Sequence, residues 1–212
     1  MMSRSCLSIV LMRNIYASLL HVFIFCLFGV HSAQCMEANT ISKQKEMLIY
    51  FEQGMTAYIE GNYDLTIKLL RMAYDIYPAP NLLLNIGNTY LHMIHPRQAL
   101  DFYIKYLRAI PVPSAEVSYE LINAMHIADK MSIALRHFSF HHYIISADMF
   151  ENECEPERFP RVYLHIAEAR KHLALYGAAR SAYLKFLKAE PRVPRQLMSE
   201  VIANIASLDN IK

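Results

Sequence analysis

Residues 80–111 read PNLLLNIGNTYLHMIHPRQALDFYIKYLRAIP. Pro80 and Pro96, like Pro160 further on, suit first helical turns, where a missing N–H costs nothing, and Pro111 ends the second run. Between them a small residue, Gly87, is followed 12 later by another, Ala99, then 4 later by the bulky Tyr103 and 8 later by Pro111. Small residues let two helices cross closely, so the stretch predicts helix, turn, helix and exit. The same marks stand 33 residues earlier, as Gly54, Thr66, Leu70 and Pro78. A fixed period of this length marks a stacked helical array.

A longer period of 80 lies over the first. Tyr63 meets Tyr143, Pro80 meets Pro160, Leu84 meets Leu164, Ile86 meets Ile166 and His92 meets His172. Ala99, Tyr103, Lys105, Leu107, Ala109 and Pro111 recur as Ala179, Tyr183, Lys185, Leu187, Ala189 and Pro191. This favours duplication of a two-repeat block, with its first half drifted: Ala134 and Ser146 keep small positions, while Glu153 stands for Ala73 and Arg158 for Pro78. Strands are not indicated, because period-2 alternation bounded by glycine turns is missing.

Gly54, Gly61-Asn62-Tyr63, Ala73 and Pro78, followed by Leu83, Ile86-Gly87, Tyr90, Ala99, Tyr103 and Pro111, resemble the tetratricopeptide repeat (TPR), in the form common among exported bacterial TPR proteins. Thr66, Tyr106 and the absence of the early Trp depart from that pattern. The resemblance implies an all-α fold of antiparallel helix-turn-helix repeats in a right-handed superhelix, about nine helices in two tandem units, residues 46–125 and 126–212. Helices are predicted near 43–59, 63–77, 80–93, 96–109, 143–151, 160–174, 177–189 and 194–208. Residues 114–138 form one long helix or two broken near Asp129, starting from a Ser114 cap.

Composition narrows the functions. Hydrophobic types make up 54% of 212 residues and charged types 19%, which is not the balance of a disordered chain. Only five glycines occur and no GxGxxG or GxxxxGK[ST] string, which excludes phosphate-cradling loops. Gly54 and Gly87 are placed at helix crossings, Gly61 and Gly177 at turns between paired helices. HExxH and GxSxG are also missing, so no hydrolase signature is present and a non-enzymatic chain is expected.

Residues 1–33 hold Arg4 and Arg13, no acid, and an apolar run from Ala17 to Val30 followed by His31-Ser32-Ala33. This is the pattern of a signal peptide cleaved after Ala33, with Met1 or Met12 as the start and 34–45 as a linker. It places the protein in the periplasm or cell envelope. A retained anchor is the alternative, and acylation at Cys35 is opposed by Gln34 where a small residue is needed. Loss of that segment leaves 19 basic and 19 acidic residues, so no nucleic-acid footprint remains. Cys35 and Cys154 form a disulfide or stay as two free thiols.

Two polar stripes are the candidate partner-binding residues. Asn81, Asn85, Asn88 and His92 share one side of helix 80–93, and Arg161, His165, Glu168 and His172 take the equivalent places 80 residues on. In TPR proteins first helices line a concave groove, so the resemblance implies contact with a protein or peptide; an ordinary solvated face has the same spacing. Phe51 and Met55 stand where chaperone-binding relatives carry Lys and Asn, so no carboxylate clamp is expected in the first repeat. Leu48, Phe51, Met55 and Tyr58 suit an apolar helix or a neighbouring subunit, or simply the core. A small-ligand or metal-binding protein using His165, Glu168 and His172 is the alternative. His137 and His141 have chelating spacing, but His141 aligns with the Gly61 turn and no third ligand is evident, so no metal or cofactor is expected. Gly87→Leu should destabilise by about 1–3 kcal/mol through overpacking.

Overall fold

The computed structural model describes residues 40–209, which form nine helices and no strand. They are α1 (40–59), α2 (Tyr63–Ile76), α3 (Pro80–His92), α4 (Pro96–Ala109), α5 (Ala115–Ser139), α6 (Tyr143–Glu153), α7 (Val162–His172), α8 (Tyr176–Ala189) and α9 (Arg195–Asp209). The chain divides into two compact units, Met1–Glu46 and Met47–Lys212, and the core and every site below belong to the second. The segment read as a signal peptide and Cys35 lie outside the described residues. Among the described residues no helix is long and apolar enough to cross a membrane.

The fold is an all-α, TPR-like array in which each helix packs on the next in sequence, from α2 through α9. Helix starts repeat at the longer period: α2 and α6 begin at Tyr63 and Tyr143, α4 and α8 at Pro96 and Tyr176, α5 and α9 at Ala115 and Arg195. The small positions do what the pattern requires. Thr66, Ala99, Ser146 and Ala179 are all fully buried four residues into the second helix of a pair. Leu70, Ile86, Met131, Phe150, Ile166 and Phe186 fill the core around them.

The undecided segment is one helix. α5 runs 25 residues from Ser114, whose hydroxyl accepts from the Val117 N–H. It contacts α4 and α6 in succession, together with α3, so one helix runs across the boundary between residues 46–125 and 126–212. Pro80 and Pro96 occupy first turns as expected, but Pro160 does not: α7 starts at Val162, and the Tyr163 N–H donates to the Pro160 carbonyl in a tighter lead-in turn.

The hairpin turns share one geometry. At Gly61, Ile94, His141 and Ala174 the backbone is left-handed, with φ of 70°, 58°, 59° and 56°. Each donates its N–H to the carbonyl three residues back at 3.0 Å, and the next residue donates to the carbonyl five back at 2.9 Å. This is the Schellman closure, which satisfies the orphan carbonyls of the first helix. Gly177 is therefore not a turn residue: it lies in the first turn of α8 and an added Cβ would meet nothing within 4 Å. The turn position 33 after His141 belongs to Ala174. A left-handed non-glycine costs about 1–2 kcal/mol, and the exposed Ala174 side chain has no burial to lose. Ala174→Gly is expected to stabilise by about 0.5–1 kcal/mol, after the extra freedom of glycine in the unfolded chain is discounted, read as a higher Tm.

Candidate functional site

The first helices α1, α3 and α5 build an open groove of about 480 Å³. Met47, Leu48 and Phe51 line it from α1, Asn81, Leu84, Asn85 and Asn88 from α3, and Val117 and Glu120 from α5. Leu84, Asn88, Val117 and Glu120 also line a smaller recess of about 80 Å³ that Arg158, in the segment before α7, completes. Helical spacing explains the wall on α3: residues 81, 84, 85 and 88 follow one face with the buried Leu82 also touching the groove, while Leu83 and Ile86 are buried behind it. Leu48 is 48% exposed, whereas Phe51 and Met47 rest partly on the core, so the apolar wall is shared between groove and interior.

The predicted stripes fare differently. Asn81, Asn85 and Asn88 come together in the groove. Asn88 has a second role, since its Oδ1 accepts from the hydroxyl of the fully buried Tyr103 at 2.8 Å. Glu168 accepts from Tyr183 in the same way 80 residues on, and also from Lys171 Nζ at 3.1 Å. A buried phenol needs an acceptor, and both stripes supply it from the equivalent position.

His92 turns away from solvent. Its ring lies 4.9 Å from Phe159, 5.5 Å from Tyr58 and 5.8 Å from Tyr63. Burial, aided by the charges of Arg158 and Arg161, holds it down at about 4. Arg161 donates from Nη2 to the Gly61 carbonyl at 3.1 Å, sets its guanidinium 4.4 Å from the Tyr63 ring, and places Nε 3.5 Å from the buried Glu190 carboxylate. These contacts clasp the α1–α2 turn against the segment after α8.

His165 stacks on Phe150 at 5.2 Å, and burial lowers it to about 4 against the opposing pull of Glu168, with His95 adding to the decrease. His172 stacks flat on Tyr143 at 4.3 Å. His165 and His172 also share the Phe138 ring, at 6.5 Å and 5.9 Å, whereas Glu168 bonds to Tyr183 and Lys171, and among the described residues no three His, Cys, Asp or Glu side chains group as metal ligands. His137 pairs with His142, Nδ1 to Nδ1 at 3.3 Å, and His141 with the Tyr143 hydroxyl at 2.6 Å. Cys154 is buried in the core, which pushes its thiol up to about 12.

Neutral, half-buried histidines link stability to pH. His92 and His165 titrate near 6.5 when unfolded and near 4 when folded, so the unfolded chain binds more protons between those values. Stability is present above pH 6.5 and is lost as pH falls toward 4. Each group is expected to remove about 1–2 kcal/mol between neutrality and about pH 5. Urea titrations across this range check it, and His165→Phe should flatten the slope.

Val117, Glu120 and Arg158 were not foreseen as part of the groove. A signal existed, because Glu120 recurs as Glu200 at the 80-residue period and Val117 follows the Ser114 cap.

No family model matches the chain, and no curated protein matches it. Among solved structures it is similar to a TPR2AB-domain:pHSP90 complex of yeast Sti1, at 16% identity and a TM-score of 0.34, over 77% of this chain and 70% of that one.

Proposed function

We propose that the protein is an exported, non-enzymatic scaffold of the tetratricopeptide type, which binds a segment of another protein in the α1–α3–α5 groove within a cell-envelope assembly. The observation that carries this reading is the groove itself. Apolar side chains from α1 and α5 face amides on α3 across about 480 Å³. Asn81 and Asn85 can each donate to a carbonyl and accept from an N–H, which suits a peptide backbone, while Leu48, Phe51, Leu84 and Val117 take its apolar side chains. Export rests on the residue 1–33 pattern and membership of the repeat family on the 33-residue and 80-residue periods.

Affinity capture from an envelope fraction tests it. A specific partner should be enriched by the native protein and reduced at least about tenfold, roughly 1.4 kcal/mol, by combined Asn81→Ala, Asn85→Ala and Glu120→Ala. The side chains of these three make no hydrogen bond among the described residues, whereas Asn88 holds the Tyr103 hydroxyl and His92 packs among the rings of Tyr58, Tyr63 and Phe159. Unchanged capture would remove the groove assignment.

A further inference from the structure

The second helices carry a cleft that the groove does not explain. It encloses about 610 Å³ between α2, α3 and α4. Arg71, Lys105 and Arg108 border it, and Tyr74, Leu83 and Phe102 give it apolar walls. Lys105 Nζ lies 4.5 Å and the Arg71 guanidinium carbon 5.5 Å from the centre of the Phe102 ring. Arg71 also donates to the Tyr90 hydroxyl at 3.0 Å, a neutral acceptor. None of the three cations pairs with a carboxylate of the described residues, including Asp75 at the rim.

The equivalent cleft 80 residues on shows the contrast. Tyr163, Lys185, Lys188 and Ala189 replace Leu83, Lys105, Arg108 and Ala109 around about 400 Å³, and Glu157 joins the lining. Arg71 is matched there by Glu151, which pairs with Arg170 at 2.5 Å and with Lys185 at 4.0 Å. One frame is thus neutralised from within. The other holds three cations, two of them over the Phe102 ring, that pair with no carboxylate of the described residues.

What would supply that charge follows from the energetics. Exposed cations are screened, so a lone small anion gains little from them. A segment with several carboxylates around an apolar residue engages all three cations and covers the half-buried Tyr74 side chain as well. We propose that this cleft is a second docking surface, which takes an acidic peptide segment of a partner protein.

The test titrates the isotope-labelled protein with a synthetic pentapeptide, Glu-Glu-Phe-Glu-Glu, with its Gln-Gln-Phe-Gln-Gln counterpart and with inorganic phosphate, following amide shifts and Kd. The acidic peptide should move amides near 71 and 105–108 and bind more weakly as salt rises. Lys105→Glu with Arg108→Glu should weaken it at least about tenfold. Lys185→Glu with Lys188→Glu, in the neutralised copy, should change it less than about twofold. Loss in both pairs of variants, shifts centred on Asn81 and Asn85, equal binding of the glutamine peptide, or no binding of the acidic peptide would each overturn the proposal. Phosphate binding as tight as that of the peptide would overturn it too, in favour of a free-anion site.

Discussion

Replacing Arg161 by alanine is expected to cost about 3–5 kcal/mol of stability. The side chain is 15% exposed and its partner Glu190 only 9%, so the variant leaves a carboxylate buried with no opposite charge beside it. Burial already raises the Glu190 pKa, and Arg161 is the main influence that lowers it. Without the arginine Glu190 takes up a proton more readily. A raised folded-state pKa contributes stability that is present at low pH and lost as pH rises, so the deficit of Arg161→Ala should grow from about pH 5 to pH 7. Simple loss of packing would not show that trend. The variant also loses the bond to the Gly61 carbonyl and the contact with the Tyr63 ring. Urea unfolding at both pH values reads the result, and a double-mutant cycle with Glu190→Gln separates the pair from its surroundings.

Gly87→Leu is expected to destabilise by about 3 kcal/mol, the upper part of the overpacking range. An added Cβ alone would stand 2.6 Å and 2.8 Å from carbons of the Tyr103 ring. That ring is fully buried, and its hydroxyl is held by Asn88, the residue next to Gly87. It cannot swing away without losing both burial and its acceptor. The equivalent crossing of α7 and α8 carries Ala167 opposite Tyr183, so the second copy already accommodates a methyl where the first has none. Gly87→Ala should therefore cost less than Gly87→Leu, yet more than about 1 kcal/mol. Denaturant midpoints at unchanged m measure both.

Why some features could be read in advance and others could not comes down to whether they are local. Gly87, Ala99 and Tyr103 meet across one hairpin, so spacing within 33 residues was enough to place them. Ser114 announced α5 through its own cap, but the helix's course was hidden. Tyr119 and Ile122 are 77% and 68% exposed, while Leu121 and Ala124 are buried, so the apolar residues of its first half do not mark one face. The left-handed turns were hidden for a related reason. Gly61 shows the usual residue and the 80-residue period sets His141 opposite it, but Ile94 and Ala174 adopt the same backbone without glycine, so Gly177 was the residue that looked like a turn.

The polar stripes divide along the same line. Asn81 and Asn85 line the groove because neighbouring first helices stand beside α3. His92 and Arg161 carry the same polar pattern, but they close on Tyr63, Gly61 and Glu190, contacts that reach as far as 100 residues along the chain. Periodicity gives the face of a helix, not what covers it.

The groove is tested most directly by photo-crosslinking from single positions in the otherwise native protein. A photoreactive residue at Asn85 and another at Glu120 stand on different helices of one wall pair. Both are expected to trap the same partner protein, and a third placed at the exposed Ile144 on α6 is expected to trap none of it. Equal trapping from all three positions, or no common product from 85 and 120, would contradict a binding groove formed by α1, α3 and α5.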